Sequence, residues 1–272
     1  MTALVPEPGM LAVLVTLALV LAGAARRHPR RPVRRTVLGL AGLAALGAAS
    51  AGGLDARAHE LLSAHMVQHG LVQLVAAPLL VASAPVRLAL GTLPRGARRR
   101  LAHALHHPSL RLLSHPLAGL AIFVGVLALV HLPAVYDAAL RSPGLHAVEH
   151  AGLLWSAIAL WAPIVGADPL PHRSGAVMRV GVLIAAMTAM SVLGAILAAL
   201  PQAAYPAYAA PAAHGLGQDA LQDQALAGGV MWIGGMVVVL PALLVLAWSA
   251  LRAEERAQRV RDRLAGASGS GA

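Results

Sequence analysis

The chain has 272 residues, 58% hydrophobic and only 12% charged, with a formal net charge of +10. A soluble domain carries about 25% charged and about 45–50% apolar residues, so this balance excludes an ordinary cytosolic protein and points to a chain with several membrane spans. All 21 basic residues are Arg and Cys is absent, which excludes disulfides and thiolate metal sites; the Arg fall between apolar runs, not on a folded basic face, so nucleic acid is not expected as a partner.

Runs of about 20 apolar residues predict an all-α integral membrane protein, a bundle of seven transmembrane helices. In chain order these are Gly9–Ala25, Thr36–Leu54, Leu61–Ala84, Leu117–Val135, Ala147–Gly166, Val177–Leu200 and Ala225–Leu251. The second is rich in small residues, and Ala44, Ala48 and Gly52 recur on one face, a pattern suited to close helix packing. No positive charge precedes the first span and a dense Arg run follows it, the reverse of a signal peptide, so it is expected to stay in the chain.

The Arg residues set the expected orientation. The segments Arg26–Arg35, Arg87–Arg111 and Arg173–Arg179 and the tail from Arg252 hold nineteen of the 21, leaving Arg57 and Arg141 on the other side. Positive charge stays cytoplasmic, which places the N-terminus outside and the C-terminus inside. Residues 1–251 read as one membrane domain and residues 252–272 as a basic cytoplasmic tail. Within the tail, Arg252–Leu264 is expected as a short surface helix against anionic lipid and Gly266–Ala272 as a disordered end. The loop Pro201–Gln224, rich in Ala, Pro and Tyr, is the longest outer excursion.

The 13 His form two populations. His28, His103, His106, His107, His115 and His172 lie among Arg and Pro in cytoplasmic segments and read as solvated loop residues. His59, His65, His69, His131, His146, His150 and His214 lie on the outer side, and five of these fall in or at the rim of a span. Polar groups there are expensive and usually face a bundle interior or cavity. His65 and His69 are spaced i, i+4, so they share one helical face, at roughly 6 and 12 Å from the outer end of their helix. Gln68 and Gln73 are expected to extend that polar stripe. His146 and His150 repeat the spacing with Glu149 beside them, His131 comes to a similar depth on the fourth span, and Asp223 opens the seventh.

Several imidazoles at one depth point to a metal or haem site, and neutral imidazole suits copper, zinc, iron and nickel. The candidate set is His65, His69, His131, His146, Glu149, His150 and Asp223. Met66, Met187, Met190 and Met231 offer thioethers for cuprous copper or simply fill gaps. His146-Ala147-Val148-Glu149-His150 also fits the H-x-x-E-H pattern of inverted zinc proteases, a short match that needs a third ligand and a cleft. The function classes left open are a metal-handling assembly factor, a membrane metalloenzyme (haem oxidoreductase or zinc hydrolase) and a copper transporter. The transporter is disfavoured because the ligands stop about midway through the bilayer.

These segments resemble the CtaG-like cytochrome c oxidase assembly factors of bacterial plasma membranes. The resemblance rests on His65-Met66-Val67-Gln68-His69, Ala77-Pro78-Leu79-Leu80, His131-Leu132-Pro133-Ala134-Val135-Tyr136-Asp137, His146-Ala147-Val148-Glu149-His150, and the stretch from Asp223 to Trp232. It implies a multi-pass plasma-membrane protein needed to build an active haem-copper oxidase, with copper as the expected metal and haem or zinc as alternatives. An oxidase subunit and membrane lipid are the implied partners, and catalysis is not expected. Gly70 departs from the family's pattern, where a bulkier apolar residue, often Met, is expected.

Overall fold

The computed structural model describes residues 8–28, 32–50, 53–172, 174–209 and 219–269, and every regular element among them is helical. Among the described residues, four helical stretches are long and apolar enough to cross a membrane: Leu62–Thr92, Pro143–Val165, Ala176–Ala199 and Ala220–Arg256. A fifth is a bent pair, Pro116–Val130 and Pro133–Arg141, angled at 72°. Two further apolar helices, α1 (Pro8–Arg26) and α2 (Val33–Ala49), pack beside them.

The second expected span is shorter than its apolar run. Helix α2 ends at Ala49, and a separate short helix, α3, covers Gly53–Ala58. The small residues of α2 do pack closely, because a Cβ on Gly42 would stand 2.8 Å from Leu80 Cγ. The third span is continuous but changes winding. Helix α4 (Leu62–Gly70) passes into a π-helical stretch, Leu71–Ala76, and then α5 (Ala77–Ala82). Pro78 has no N–H to offer the Leu74 carbonyl, and the wider winding just before it ends with Ala77 N–H donating to the Val72 carbonyl. Such π segments are often found at functional sites; this one begins directly after His69 and Gly70. Helix α6 (Pro85–Thr92) follows Ala84, whose φ is 55°, and its first N–H groups donate to Asp168, Arg87 at 2.8 Å and Val86 at 3.3 Å.

The Arg-rich stretch after it is not irregular. Helices α7 (Arg95–Leu105) and α8 (Pro108–Leu113) bury no residue, consistent with an amphipathic surface position. The fourth expected span does not run through to Val135. Helix α9 (Pro116–Val130) ends and α10 (Pro133–Arg141) turns away, because Pro133 forces Leu132 into an extended conformation (φ −65°, ψ 127°). The fifth helix, α11 (Pro143–Val165), starts four residues earlier than the apolar run suggests. Ser142 caps it, accepting from Leu145 N–H at 3.4 Å, and Gly166 closes it in the left-handed conformation that glycine tolerates.

Helices α12 (Ala176–Ala199) and α14 (Ala220–Gly269) are separated in the chain by the short helix α13 (Pro206–Ala209). Their backbones touch: a Cβ on Gly194 would lie 2.6 Å from the Gly228 carbonyl oxygen, the small-residue contact that lets helices approach closely. Helix α14 continues without a break into the basic tail, so Arg252–Leu264 is part of the same long helix and not a separate surface helix. The helix also takes in Gly266–Gly269 of the expected disordered end, and 270–272 lie outside the described residues. An exposed Arg259–Glu255 pair and Arg252 stacked over Trp248 at 4.7 Å line this extension. The apolar core runs through Phe123, Leu127, Leu160, Trp161, Leu183 and Met231, while Leu19, Val177, Ile233 and Leu244 project outward, as lipid-facing residues do.

Candidate metal centre

Four of these elements converge on one end of the bundle. Helix α4 brings His65 and His69, the end of α9 brings His131, the first turns of α11 bring His146, Glu149 and His150, and α13 brings Tyr208. The rings form a contiguous cluster. Centroids lie 4.4 Å apart for His65–His69 and for His146–His150, 5.4 Å for His65–His146, 5.6 Å for His69–His150 and 6.0 Å for His69–His131. His65, His69 and Glu149 are only 1%, 3% and 7% exposed, while His146 and His150 are half-buried.

Hydrogen bonds fix which ring nitrogens carry lone pairs. Tyr208 donates its hydroxyl proton to the Ala58 carbonyl at 2.6 Å. His65 Nδ1, 3.1 Å from that hydroxyl, is therefore the donor of its pair, and His65 Nε2 carries the lone pair, accepting from His69 Nε2–H at 2.8 Å. His131 spends its Nδ1–H on the Leu127 carbonyl at 2.8 Å, which leaves Nε2 as the lone-pair nitrogen. This is the pattern in which one ring nitrogen is anchored and the other is left for a ligand.

The anchored rings are accompanied by buried polar atoms that have no hydrogen-bond partner: His69 Nδ1, the Nε2 atoms of His131, His146 and His150, and both oxygens of Glu149. Glu149 Oε1 comes only to 3.5 Å from His69 Nε2. Most buried polar atoms in folded proteins are paired, and each exception calls for a reason such as a missing ion. Among the described residues, two groups have donor atoms all within 4.8 Å of one another, His65–His146–His150 and His65–His69–Glu149. Such a set of borderline nitrogen donors with one carboxylate can hold a transition-metal ion.

The chain belongs to the cytochrome c oxidase caa3 assembly factor family. That family's sequence profile matches residues 16–253. An uncharacterised protein of Mycobacterium tuberculosis is 28% identical over 245 residues, covering 88% of this chain and 37% of its own length. One from Mycobacterium leprae is 29% identical over 246 residues, covering 85% and 36%. This chain therefore spans little more than a third of the curated relatives it matches. No solved structure matches it.

Of the residues singled out in the sequence, the structure gathers His65, His69, His146, Glu149 and His150 into the two groups, with His131 adjoining. Asp223 lies outside both. Its carboxylate caps α4, accepting from Leu62 N–H at 2.6 Å and from the backbone N–H and hydroxyl of Ser63. The expected polar stripe also divides. Gln68 turns away from the cluster to donate to the Ala49 carbonyl at 2.6 Å and to Asp55 at 2.8 Å, holding α4 against the chain before it. His214 lies outside the described residues.

Sequence reasoning missed the role of the segment that holds Tyr205 and Tyr208. Tyr205 donates to the His131 carbonyl at 3.1 Å and stacks on Tyr136 at 4.1 Å, while Tyr208 anchors His65. Gln224 holds this segment, accepting from Ala204 N–H at 2.6 Å and donating to the Leu197 and Gln202 carbonyls. The signal was the presence of two of the chain's three Tyr in a stretch rich in Ala and Pro. His59 was also passed over; it is exposed, 5.4 Å from His146, and donates Nδ1–H to the Asp55 carbonyl. Beneath the cluster lies an apolar cavity of about 260 Å³ whose walls include His69, His131, Met66, Met190 and Met231.

The cap assigned to Asp223 makes a stability prediction. Asp223→Ala should cost about 1–2 kcal/mol, and Ser63→Ala should add little on top of it because both remove the same contact. Thermal unfolding of the two single variants and the double variant measures this. Fully additive losses would contradict the assignment.

Proposed function

We propose that the chain holds copper in the His layer at the outer face of the bacterial plasma membrane and passes it to a subunit of a haem-copper oxidase during assembly. The observation that carries this reading is the convergence of unpartnered buried atoms of His69, His131, His146, His150 and Glu149 in a member of an oxidase assembly family. Copper fits the donor set: imidazole nitrogens bind it well, no thiolate is present to favour zinc or iron–sulfur chemistry, and Met66 stands in the adjoining cavity wall as a soft neighbour. Glu149 supplies the negative charge that a cation needs where water is scarce. The protein acts as a carrier in this reading: it binds, shields and releases, and needs no catalytic base.

In the proposed topology the bent α9–α10 pair, α1 and α2 join the four long helices to give seven spans, with residues 1–251 as the membrane domain. The nineteen Arg of one side then face the cytoplasm and anionic lipid, and the His layer opens outward. An impermeant reagent applied to intact cells should label a cysteine placed in the Pro201–Gln224 loop and spare one placed in Arg95–Arg111. The reverse pattern would place the His layer on the wrong side for this function.

The copper reading is tested in cells and on purified protein. Cells lacking the chain should still make oxidase polypeptides and haem, yet show low oxidase activity and low oxidase copper, because a copper centre forms only when the ion reaches ligands already in position. Ala at His65, His69 or His131 should reproduce the defect and lower copper bound to the purified chain. Changing His103, His106 and His107 together should do neither. Normal copper in oxidase from the deletion strain, or equal copper loss in both His sets, would overturn the proposal.

A further inference from the structure

The two possible ligand groups share a residue. His65 belongs both to the half-buried group with His146 and His150 and to the buried group with His69 and Glu149. A neutral imidazole has one lone pair to offer. Because Tyr208 has already given its proton to Ala58, His65 Nδ1 must carry the ring's proton, and Nε2 is its only donor atom. One lone pair cannot serve two ions at once.

The groups also differ in how far they lie from water. His59 is exposed at the rim, and its ring is 5.4 Å from that of His146; His146 and His150 are half-buried; His65, His69 and Glu149 are sealed in the bundle. Donors thus continue without a gap from the surface to the interior. Their chemistry changes along the way, from three neutral imidazoles to two imidazoles and a carboxylate. Once its proton has been released to water, the Glu149 carboxylate in a water-poor site attracts a cation more strongly than a neutral imidazole near the surface does, so the inner group is the tighter of the two.

We propose that the two groups are successive stations for a single ion, with His65 as the ligand common to both. Copper captured by His65, His146 and His150 moves inward to His65, His69 and Glu149 while His65 stays bound. The exchange breaks the bonds to the two α11 imidazoles and forms one to His69 nitrogen and one to a Glu149 carboxylate oxygen, with no change in the oxidation state of copper. Tyr208 is the positioning residue that keeps His65 Nε2 available in both. This inference rests on the copper reading above and adds to it a stoichiometry and an order of events.

The test uses the full chain in lipid nanodiscs, loaded anaerobically with cuprous ion and challenged with the chelator bathocuproine disulfonate. Wild type should bind one ion per chain and release it slowly. Changing both His146 and His150 to Ala should leave one ion bound but slow loading about 10-fold, with release unchanged. Glu149→Gln should leave loading unchanged and speed release to the chelator about 10-fold, in the range expected when metal-site groups are altered. Two ions per wild-type chain would overturn the shared-ligand scheme, and this stoichiometry is read without any variant. Unchanged loading by the His146/His150 double variant would overturn the order of stations. Failure of wild type to bind cuprous ion at all would remove the copper reading itself, a result distinct from either.

Discussion

The arrangement depends on the cost of leaving hydrogen-bonding atoms unpaired in an apolar interior. A buried nitrogen or carboxylate oxygen without a partner costs about 1–3 kcal/mol, more when charged, and this bundle places several of them side by side in His69, His131, His146, Glu149 and His150. Scattered singly, such residues would be satisfied by neighbouring protein groups, as His131 is at one nitrogen by the Leu127 carbonyl and His65 at one by the Tyr208 hydroxyl. Gathered with their free atoms close together, they suit a ligand that accepts several lone pairs at once. A metal cation does that, and nearby protein groups do not.

The rest of the fold serves to bring those atoms together. The chain breaks at His131–Pro133, which ends α9 at the level of the cluster and carries Tyr136 across it. Helix α4 is pinned at its start by Asp223 from α14 and along its side by Gln68, which fixes the rotation at which His65 and His69 face α11. The Tyr205–Tyr208 segment closes over the cluster and is itself held by Gln224. Asp223 and Gln224 are neighbours in sequence and act on different partners, so the start of α14 organises both the floor and the cover of the site.

Much of this was legible in the sequence, for physical reasons that can be named. The i, i+4 pairs His65/His69 and His146/His150 put two rings on one face whatever the rest of the chain does, and polar residues within apolar runs mark an interior site. Local chemistry hid other features. Pro133 inside an apolar run signals a break, yet hydropathy alone carries the span through to Val135. Asp223 reads as an acidic group at a helix mouth, and only the tertiary fold shows that Leu62 and Ser63, about 160 residues away in the chain, take its carboxylate. The Tyr208 contact with His65 spans 143 residues and leaves no local pattern. Gln68 shares a helix with the cluster but answers to Asp55, because spacing gives the approximate face and not the nearest partner.

X-ray absorption at the copper edge of the loaded, purified chain tests the central claim most directly. The account predicts a first shell of nitrogen and oxygen with the outer-shell scattering of two or more imidazoles, lost when His65 is replaced by Ala. A first shell dominated by sulfur would place the ion among Met66, Met190 and Met231 instead, and would contradict the account.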